Sequence, residues 1–348
     1  MQTIAQLARN PTLQDIARQL NVNAATVSRA LNNHPAISAE TKEAVQRAAR
    51  RLRYQPNRVA SSLRLGKTRI LGVMIPSAEI NFFGSVIHGI EKVASEQGYN
   101  VLIYQSNESE DWERRGLDTF LRSQVDGVLA SIAKQTTNTS HWLSLHKQGV
   151  PVVLFDRVNA LLPVPSVSID DRLGAYRATC HLAEQGYRHI AFIGGQAHVP
   201  IWQQRLEGYR AALRDCGLEA KSSWVRHGDV SIESGAACME TLLRQKKLPD
   251  AVCCVEDFTA LGALQVLRAK GISVPGEMGL VGFANENFGA HITPSLTSVD
   301  QQTIRMGEEA ARLFFDLSAS GNFYGEAPRR LVLEPRLIIR ESSKKNQL

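Results

Sequence analysis

Apolar positions follow two different periods along this chain. Between residues 12 and 31 they recur three and four apart: Leu13, Ile16, Ala17 and Leu20, then Val27, Ala30 and Leu31. That spacing predicts two short amphipathic helices. Thr12 and Asn23 stand where helix caps are needed, and Asp15 three residues after Thr12 makes a near capping box. Asn21-Val22 breaks the pattern, and asparagine tolerates the left-handed backbone of a tight turn. Ser38 and Glu40 open a third helix with the stripe Ala44, Val45, Ala48, Ala49 and Leu52. Two short helices about a tight turn form a helix-turn-helix unit. Residues 57–63 can add two helical turns capped by Asn57, too few to hold without a partner.

After residue 67 short apolar runs take over, at 70–75, 101–104, 127–130, 152–155, 166–169, 190–193, 251–255 and 280–283. Helical patterns such as 85–96 and 208–216 lie between most of them. Such alternation predicts parallel sheets with helices on both faces. The length exceeds one comfortable core, so two doubly wound subdomains are expected. The proline-rich break at 161–165 and a second at 293–295 are taken as crossings between them. The expected organisation is therefore a multidomain chain, an all-α head followed by an α/β core. Residues 1–11 are a loose tail, 12–56 the helix-turn-helix head, 57–67 a hinge helix and linker. The core is 68–342, one subdomain being about 68–163 and 295–325, the other about 164–294 and 326–342. Residues 343–348 are a polar tail.

Charge separates these regions. Residues 1–67 hold eleven Lys/Arg against three acids, a balance of +8, whereas the whole chain is +6. The basicity is local, as in a nucleic-acid footprint. Ala24, Ala25, Ser28 and Arg29 lie on the outer side of the second helix. Small residues there let backbone approach base edges, and Arg29 can reach a guanine. A small helical domain with a solvated basic face is the alternative that this pattern alone leaves open. In the core, no glycine fingerprint, P-loop, nucleophile elbow or HExxH occurs, and Gly194-Gly195 is an isolated pair. The five cysteines show no metal spacing, which suits a reducing compartment. No run is apolar and long enough for a membrane span, and no signal peptide is evident. No cofactor, metal ion or catalytic residue is expected.

The chain resembles the LacI/GalR family of bacterial transcription regulators. The resemblance rests on T-L-Q-D-I-A at 12–17, A-T-V-S-R-A-L at 25–31, Y-Q-P-N at 54–57 and N-R-V-A-S-S-L-R at 57–64, and continues through the core. Asn21 departs from the family's usual glycine. The resemblance implies base readout by Ala24, Ala25, Thr26, Ser28 and Arg29. It implies phosphate contacts by Thr12, Asn23, Ser38, Thr41, Tyr54 and Asn57, which position the protein without reading sequence. It implies a hinge helix that folds on DNA, with Ala60 and Leu63 in the minor groove and Leu63 as a wedge. The core then looks like a periplasmic-binding-protein-like domain with a small-molecule effector, a sugar or sugar derivative, in its cleft. Matching positions are Asn81 and Phe82 at a helix start, Asp156 in LFDR, Arg205 in RLEGYRAAL, Asp257 in VEDFTALGAL and Asn285 in VGFANE. Glu256 stands where the family has asparagine, and Asn285 where most members have aspartate. The chain lacks the added apolar helix of tetrameric members, so the resemblance implies a cytoplasmic homodimer on a pseudo-palindromic double-stranded operator, with no membrane partner.

Other classes stay open at this point. A sugar-acting enzyme with a DNA-binding head needs a catalytic constellation, for which Asp156 and Asp257 are the only candidate carboxylate pair. A pure sugar-binding module leaves the +8 head without a purpose. An architectural DNA-binding protein needs no cleft.

Overall fold

The computed structural model describes residues 11–54, 66–325 and 327–345. The chain divides after Thr68 into two compact units. In the first, α1 (Leu13–Leu20), α2 (Ala24–Leu31) and α3 (Ala39–Arg51) enclose Ile16, Ala17, Val27, Ala30, Val45 and Ala48. Each large aliphatic residue so buried contributes about 1.5–3 kcal/mol, so this core is small. The caps are side-chain bonds. The Asp15 carboxylate accepts from the Thr12 amide at 2.8 Å and the Thr12 hydroxyl at 2.7 Å. Asn23 Oδ1 accepts from the Thr26 amide at 2.7 Å, and Ser38 Oγ from the Thr41 amide at 3.2 Å. Asn21 carries φ 52°, the left-handed turn residue that its chemistry allows.

The second unit holds two six-stranded sheets. The strands are β1 (Ile70–Ile75), β2 (Asn100–Gln105), β3 (Gly127–Ala130), β4 (Val152–Phe155), β5 (Ser166–Ile169), β6 (Ile190–Gly194), β7 (Val225–His227), β8 (Ala251–Cys254), β9 (Gly279–Phe283), β10 (Thr297–Asp300), β11 (Arg330–Leu333) and β12 (Arg336–Ile338). The helices are α4 (Asn81–Glu96), α5 (Glu110–Arg122), α6 (Ser140–Lys147), α7 (Asp171–Glu184), α8 (Pro200–Asp215), α9 (Ile232–Leu243), α10 (Asp257–Ala269) and α11 (Thr303–Ala319). The first sheet runs β11-β5-β4-β3-β1-β2 and is parallel throughout. The second runs β12-β10-β9-β8-β6-β7, with β12 alone antiparallel. Central strands are buried end to end, as sheets covered on both faces require.

The crossings differ from those expected at 161–165 and 293–295. Strand β5 still pairs with β4 in the first sheet, and β10 with β9 in the second. The chain therefore crosses after Ile169, again after Asp300, and a third time between β11 and β12. Proline marks any loop. Which sheet receives the next strand is decided by long-range pairing, which the loop does not encode. Parallel α7 and α8 approach so closely that a Cβ on Gly208 would stand 2.1 Å from the Arg172 carbonyl oxygen. That contact fixes how α8 presents its first turns.

Candidate functional site

On the head, Ala25 and Arg29 are exposed on α2, with Thr26 and Ser28 half-buried beside them. Ala24 leans against the head core instead of standing clear of it. Asn23 spends its side-chain oxygen on capping and keeps its NH2 outward-capable, while the Ser38 and Thr41 hydroxyls lie 2.9 Å apart at the start of α3. Free N–H groups at such helix starts attract phosphate. Tyr54 is half-buried against the same small core. Asn57, Ala60 and Leu63 lie outside the described residues.

In the core, a cavity of ≈ 510 Å³, open mouth included, lies between the two subdomains. One wall carries Phe82, Phe83, Glu108, Lys134, Asp156 and Arg157 from loops of the first sheet. The other carries Trp202, Val230, Glu256, Phe258 and Gln301 from the second. Each residue follows the carboxyl end of a strand: Phe82 after β1, Glu108 after β2, Lys134 after β3, Asp156 after β4, Trp202 after β6, Glu256 after β8. Open α/β sheets place ligands there.

The polar groups of the cavity hold one another. Arg157 Nη1 lies 2.6 Å from Glu108 Oε2, and its guanidinium sits 5.9 Å from the ring centres of both Phe83 and Trp202. Asp156 accepts from Ser131 Oγ at 3.1 Å and adopts φ 59°. Burial pushes its carboxyl up, with Arg157 and Arg205 opposing. Glu256 is driven up to about 8 by burial against the pull of Arg205. Trp202 Nε1 is buried and has no hydrogen-bond partner among the described residues. Two links cross the cleft near its ends. Phe82 N donates to Glu286 Oε1 at 3.2 Å, and Lys134 Nζ donates to the Asp229 carbonyl at 3.2 Å. His198 Nε2 adds a 2.6 Å bond to the Lys134 carbonyl.

Four expected ligand residues do not line the cavity. Asn81 is exposed at the first position of α4, and the next residue, Phe82, faces inward. Arg205 is 1% exposed beneath the floor. Its Nε and Nη2 both lie 2.7 Å from Asp171 Oδ1, its Nη1 donates to the Val255 carbonyl, and its plane covers Phe283 at 3.6 Å. Its Nε and Nη1 are thereby taken, while Nη2 has no hydrogen-bond partner among the described residues; Nη1 also lies 3.7 Å from Glu256 of the cavity wall. Asp257 is fully buried, accepting from Ser298 Oγ and from the Glu286 amide, both at 2.7 Å. Asn285 accepts from Arg340 Nη2 at 2.7 Å. Arg205 and Asp257, both buried, lie behind the cavity wall. Phe82 and Asp156 are brought to it as expected. Glu108, Lys134, Arg157 and Glu286 escaped the motif reading, although position after a strand end would have flagged the first three.

Residues 12–57 match the model described as bacterial regulatory proteins, lacI family, and residues 68–340 that of periplasmic binding proteins and sugar binding domain of LacI family. The chain belongs to the LacI family of bacterial regulatory proteins. It is 34% identical over 305 residues to the catabolite control protein A of Priestia megaterium, covering 87% of this chain and 91% of that one. It is 32% identical over 333 residues to the HTH-type transcriptional repressor CytR of Escherichia coli, 96% of each. A LacI-family member is a DNA-binding transcription regulator and not an enzyme. Among solved structures, the transcriptional regulator CelR–cellobiose complex shares 34% identity at a TM-score of 0.72, over 96% of this chain and 100% of that one. The lac repressor dimer bound to operator and an anti-inducer shares the fold at a TM-score of 0.85 and 23% identity, over 96% and 99%. No helix among the described residues is long and apolar enough to cross a membrane.

Proposed function

We propose that this LacI-family regulator is a cytoplasmic, homodimeric repressor whose operator affinity is set by a carbohydrate bound between its core subdomains. The observation that carries the effector half is the cavity's double lining. Carboxyl groups of Glu108, Asp156 and Glu256 can hydrogen-bond sugar hydroxyls, and the rings of Phe82 and Trp202 can pack on a sugar face. The orphan Trp202 N–H needs an acceptor, which a ring or hydroxyl oxygen supplies. The cations of the site already have protein partners, Arg157 in Glu108, Arg205 in Asp171 and Lys134 in the Asp229 carbonyl, an arrangement that suits an uncharged ligand better than a sugar phosphate.

On the DNA side, Arg29 reads a base and Ala25 offers apolar contact, with Thr26 and Ser28 beside them. Asn23, Ser38 and Thr41 hold phosphates at helix starts. A dimer supplies the twofold symmetry of a pseudo-palindromic site. Each core's cross-cleft links, Phe82 to Glu286 and Lys134 to Asp229, are what an effector strengthens or replaces. The effector shifts the equilibrium only by its difference in affinity for the two cleft states. By linkage, operator and effector change each other's affinity by the same factor, about 1–3 kcal/mol in ordinary cases. The test is selection of bound sites from random DNA, repeated with sugars present. A twofold-symmetric site whose affinity shifts with one sugar is expected. A symmetric site indifferent to all of them would remove the carbohydrate effector.

A further inference from the structure

Helices α7 and α8 run side by side with their backbones in contact. Where Arg172 of α7 passes Gly208 of α8, a Cβ on the glycine would stand 2.1 Å from the Arg172 carbonyl oxygen and 3.0 Å from the Tyr176 amide. A little over two turns further along both helices, Cys180 of α7 meets Cys216, the residue that ends α8. Their sulfurs are 3.8 Å apart, and the pair keeps the offset of 36 residues that also separates Arg172 from Gly208. Cys216 is exposed and Cys180 half-buried beside it, whereas Cys238, Cys253 and Cys254 are buried.

This placement suits a covalent link. A disulfide needs its sulfurs about 2.05 Å apart and its Cβ atoms about 3.5–4.5 Å apart. Two sulfurs already in contact, on helices that the Gly208 crossing holds together, can close the remaining gap by side-chain rotation. Held so near each other, they also react as a pair in preference to either reacting with a second molecule. Burial, and then the neighbouring Cys216, push the Cys180 thiol up to about 11, with the Tyr176 hydroxyl opposing. A setting that disfavours the thiolate gives the reduced pair no added stability, so the oxidised pair holds better once formed.

We propose that Cys180 and Cys216 form a reversible intramolecular disulfide when the protein meets a peroxide, and that this bond staples α7 to α8. The exposed Cys216 reacts first. Its sulfur attacks one oxygen of hydrogen peroxide, an S–O bond forms, the O–O bond breaks, and the departing hydroxide takes the thiol proton and leaves as water. The Cys180 sulfur then attacks the Cys216 sulfur. The S–S bond forms, the S–O bond breaks, and the hydroxyl leaves with the Cys180 proton as a second water. The two thiols lose two electrons and the peroxide gains them. A small dithiol restores both thiols by exchange. Transient, redox-sensing disulfides are the kind that a reducing compartment permits. The staple joins the far ends of two helices whose first turns carry Asp171, Trp202 and Arg205, the layer at and beneath the cleft. It also closes a loop of chain that contains β6.

The experiment uses the full-length protein, reduced and then freed of reductant. It is treated with equimolar hydrogen peroxide, alkylated with iodoacetamide and digested without reductant for peptide mass spectrometry. Urea transitions of the core are followed on the same samples. A peptide pair linked through Cys180 and Cys216 is expected, with Cys253 and Cys254 still reduced and both thiols restored by dithiothreitol. The urea midpoint of the core should rise by about 0.5–1 M on oxidation, as closure of a loop of this length implies, and return on reduction. Cys180→Ser and Cys216→Ser should give no linked peptide and a midpoint indifferent to peroxide. Thiols that stay open to alkylation overturn the disulfide, as do a Cys216 carried on to sulfinic acid beside a free Cys180 and links found only between chains. A linked pair with an unmoved midpoint, or a midpoint that still rises in either serine variant, overturns the staple.

Discussion

The head and the cleft carry function in opposite ways. In the head, buried residues and the residues proposed to read DNA alternate along one helix. Val27 and Ala30 are buried, while Ala25 and Arg29 look outward. Eight residues of α2 thus contain both a fold instruction and the surface proposed to face DNA. In the cleft, the wall residues come from many different strand ends, from Ile80 to Gln301. The layer beneath (Asp171, Arg205, Asp257, Ser298) is polar, buried and joined only in three dimensions. A local surface can be altered without touching its support. A cleft built on buried ion pairs cannot.

That contrast is tested most severely in the head core. Val27→Asp places an unpaired charge among the five other buried apolar side chains of the head core. Burying a charge costs far more than so small a core supplies. Operator binding should vanish in a gel-shift titration, while the urea transition of the core unit stays where it was. Movement of both transitions would show that the two units do not fold separately. The matching cut in the core is Arg205→Leu. It strands Asp171, whose carboxyl burial already pushes up to about 6. Removing one member of a buried pair costs about 3–5 kcal/mol. That loss is expected in the core's urea transition, with Asp171→Leu on top recovering much of it.

The same contrast explains what the sequence could tell. The caps Thr12, Asn23 and Ser38, the turn at Asn21 and the buried stripe of α2 are short-range facts, and the helical period displays them. Eight strands are visible as apolar runs, but β7, β10, β11 and β12 are not. Val225–His227 and Arg336–Ile338 are three residues each, and β11 exposes three of its four. They are defined by the neighbour they pair with. Among the cleft residues, Asp156 and Phe82 follow strong apolar runs and were visible. Arg205 and Asp257 look like ligands in sequence because they are polar and stand near strand ends. Their partners Asp171 and Ser298 lie 34 and 41 residues away and take up their bonding groups. Glu286 was hidden for the same reason: its partner, the Phe82 amide, is 204 residues away.

The buried acid layer should also show itself through pH. Burial raises Asp171 to about 6, Asp257 to about 7 and Glu256 to about 8. The unfolded chain releases these protons near the ordinary values of 3.8 and 4.5, while the fold keeps them. Over that window the native state binds more protons, so stability falls as pH rises and levels off above about 8. The head, whose acids Asp15, Glu40 and Glu43 lie at helix starts or on the surface, lacks such a layer. Glu256→Gln removes one titrating site, and the core's urea midpoint should then fall less steeply between pH 5 and pH 8, roughly the interval between its two pKa values. An unchanged slope would mean that Glu256 is ionised in the fold.

The finest cut separates support from recognition inside one cleft residue. Trp202 packs its ring over Gly195, where a Cβ would stand 2.3 Å from the indole, and under the Arg157 guanidinium. Those are structural duties that phenylalanine can largely take over. The Nε1 hydrogen has no protein acceptor among the described residues, so nothing in the fold is lost with it. Trp202→Phe should therefore leave the core's urea transition nearly in place. If a ligand oxygen accepts from Nε1, effector affinity measured by calorimetry drops about three- to tenfold, the net worth of about 0.5–1.5 kcal/mol for one hydrogen bond. A variant that loses stability and keeps affinity would assign Trp202 wholly to packing. The cleft would then resemble the head, with its support and its recognition on separate residues.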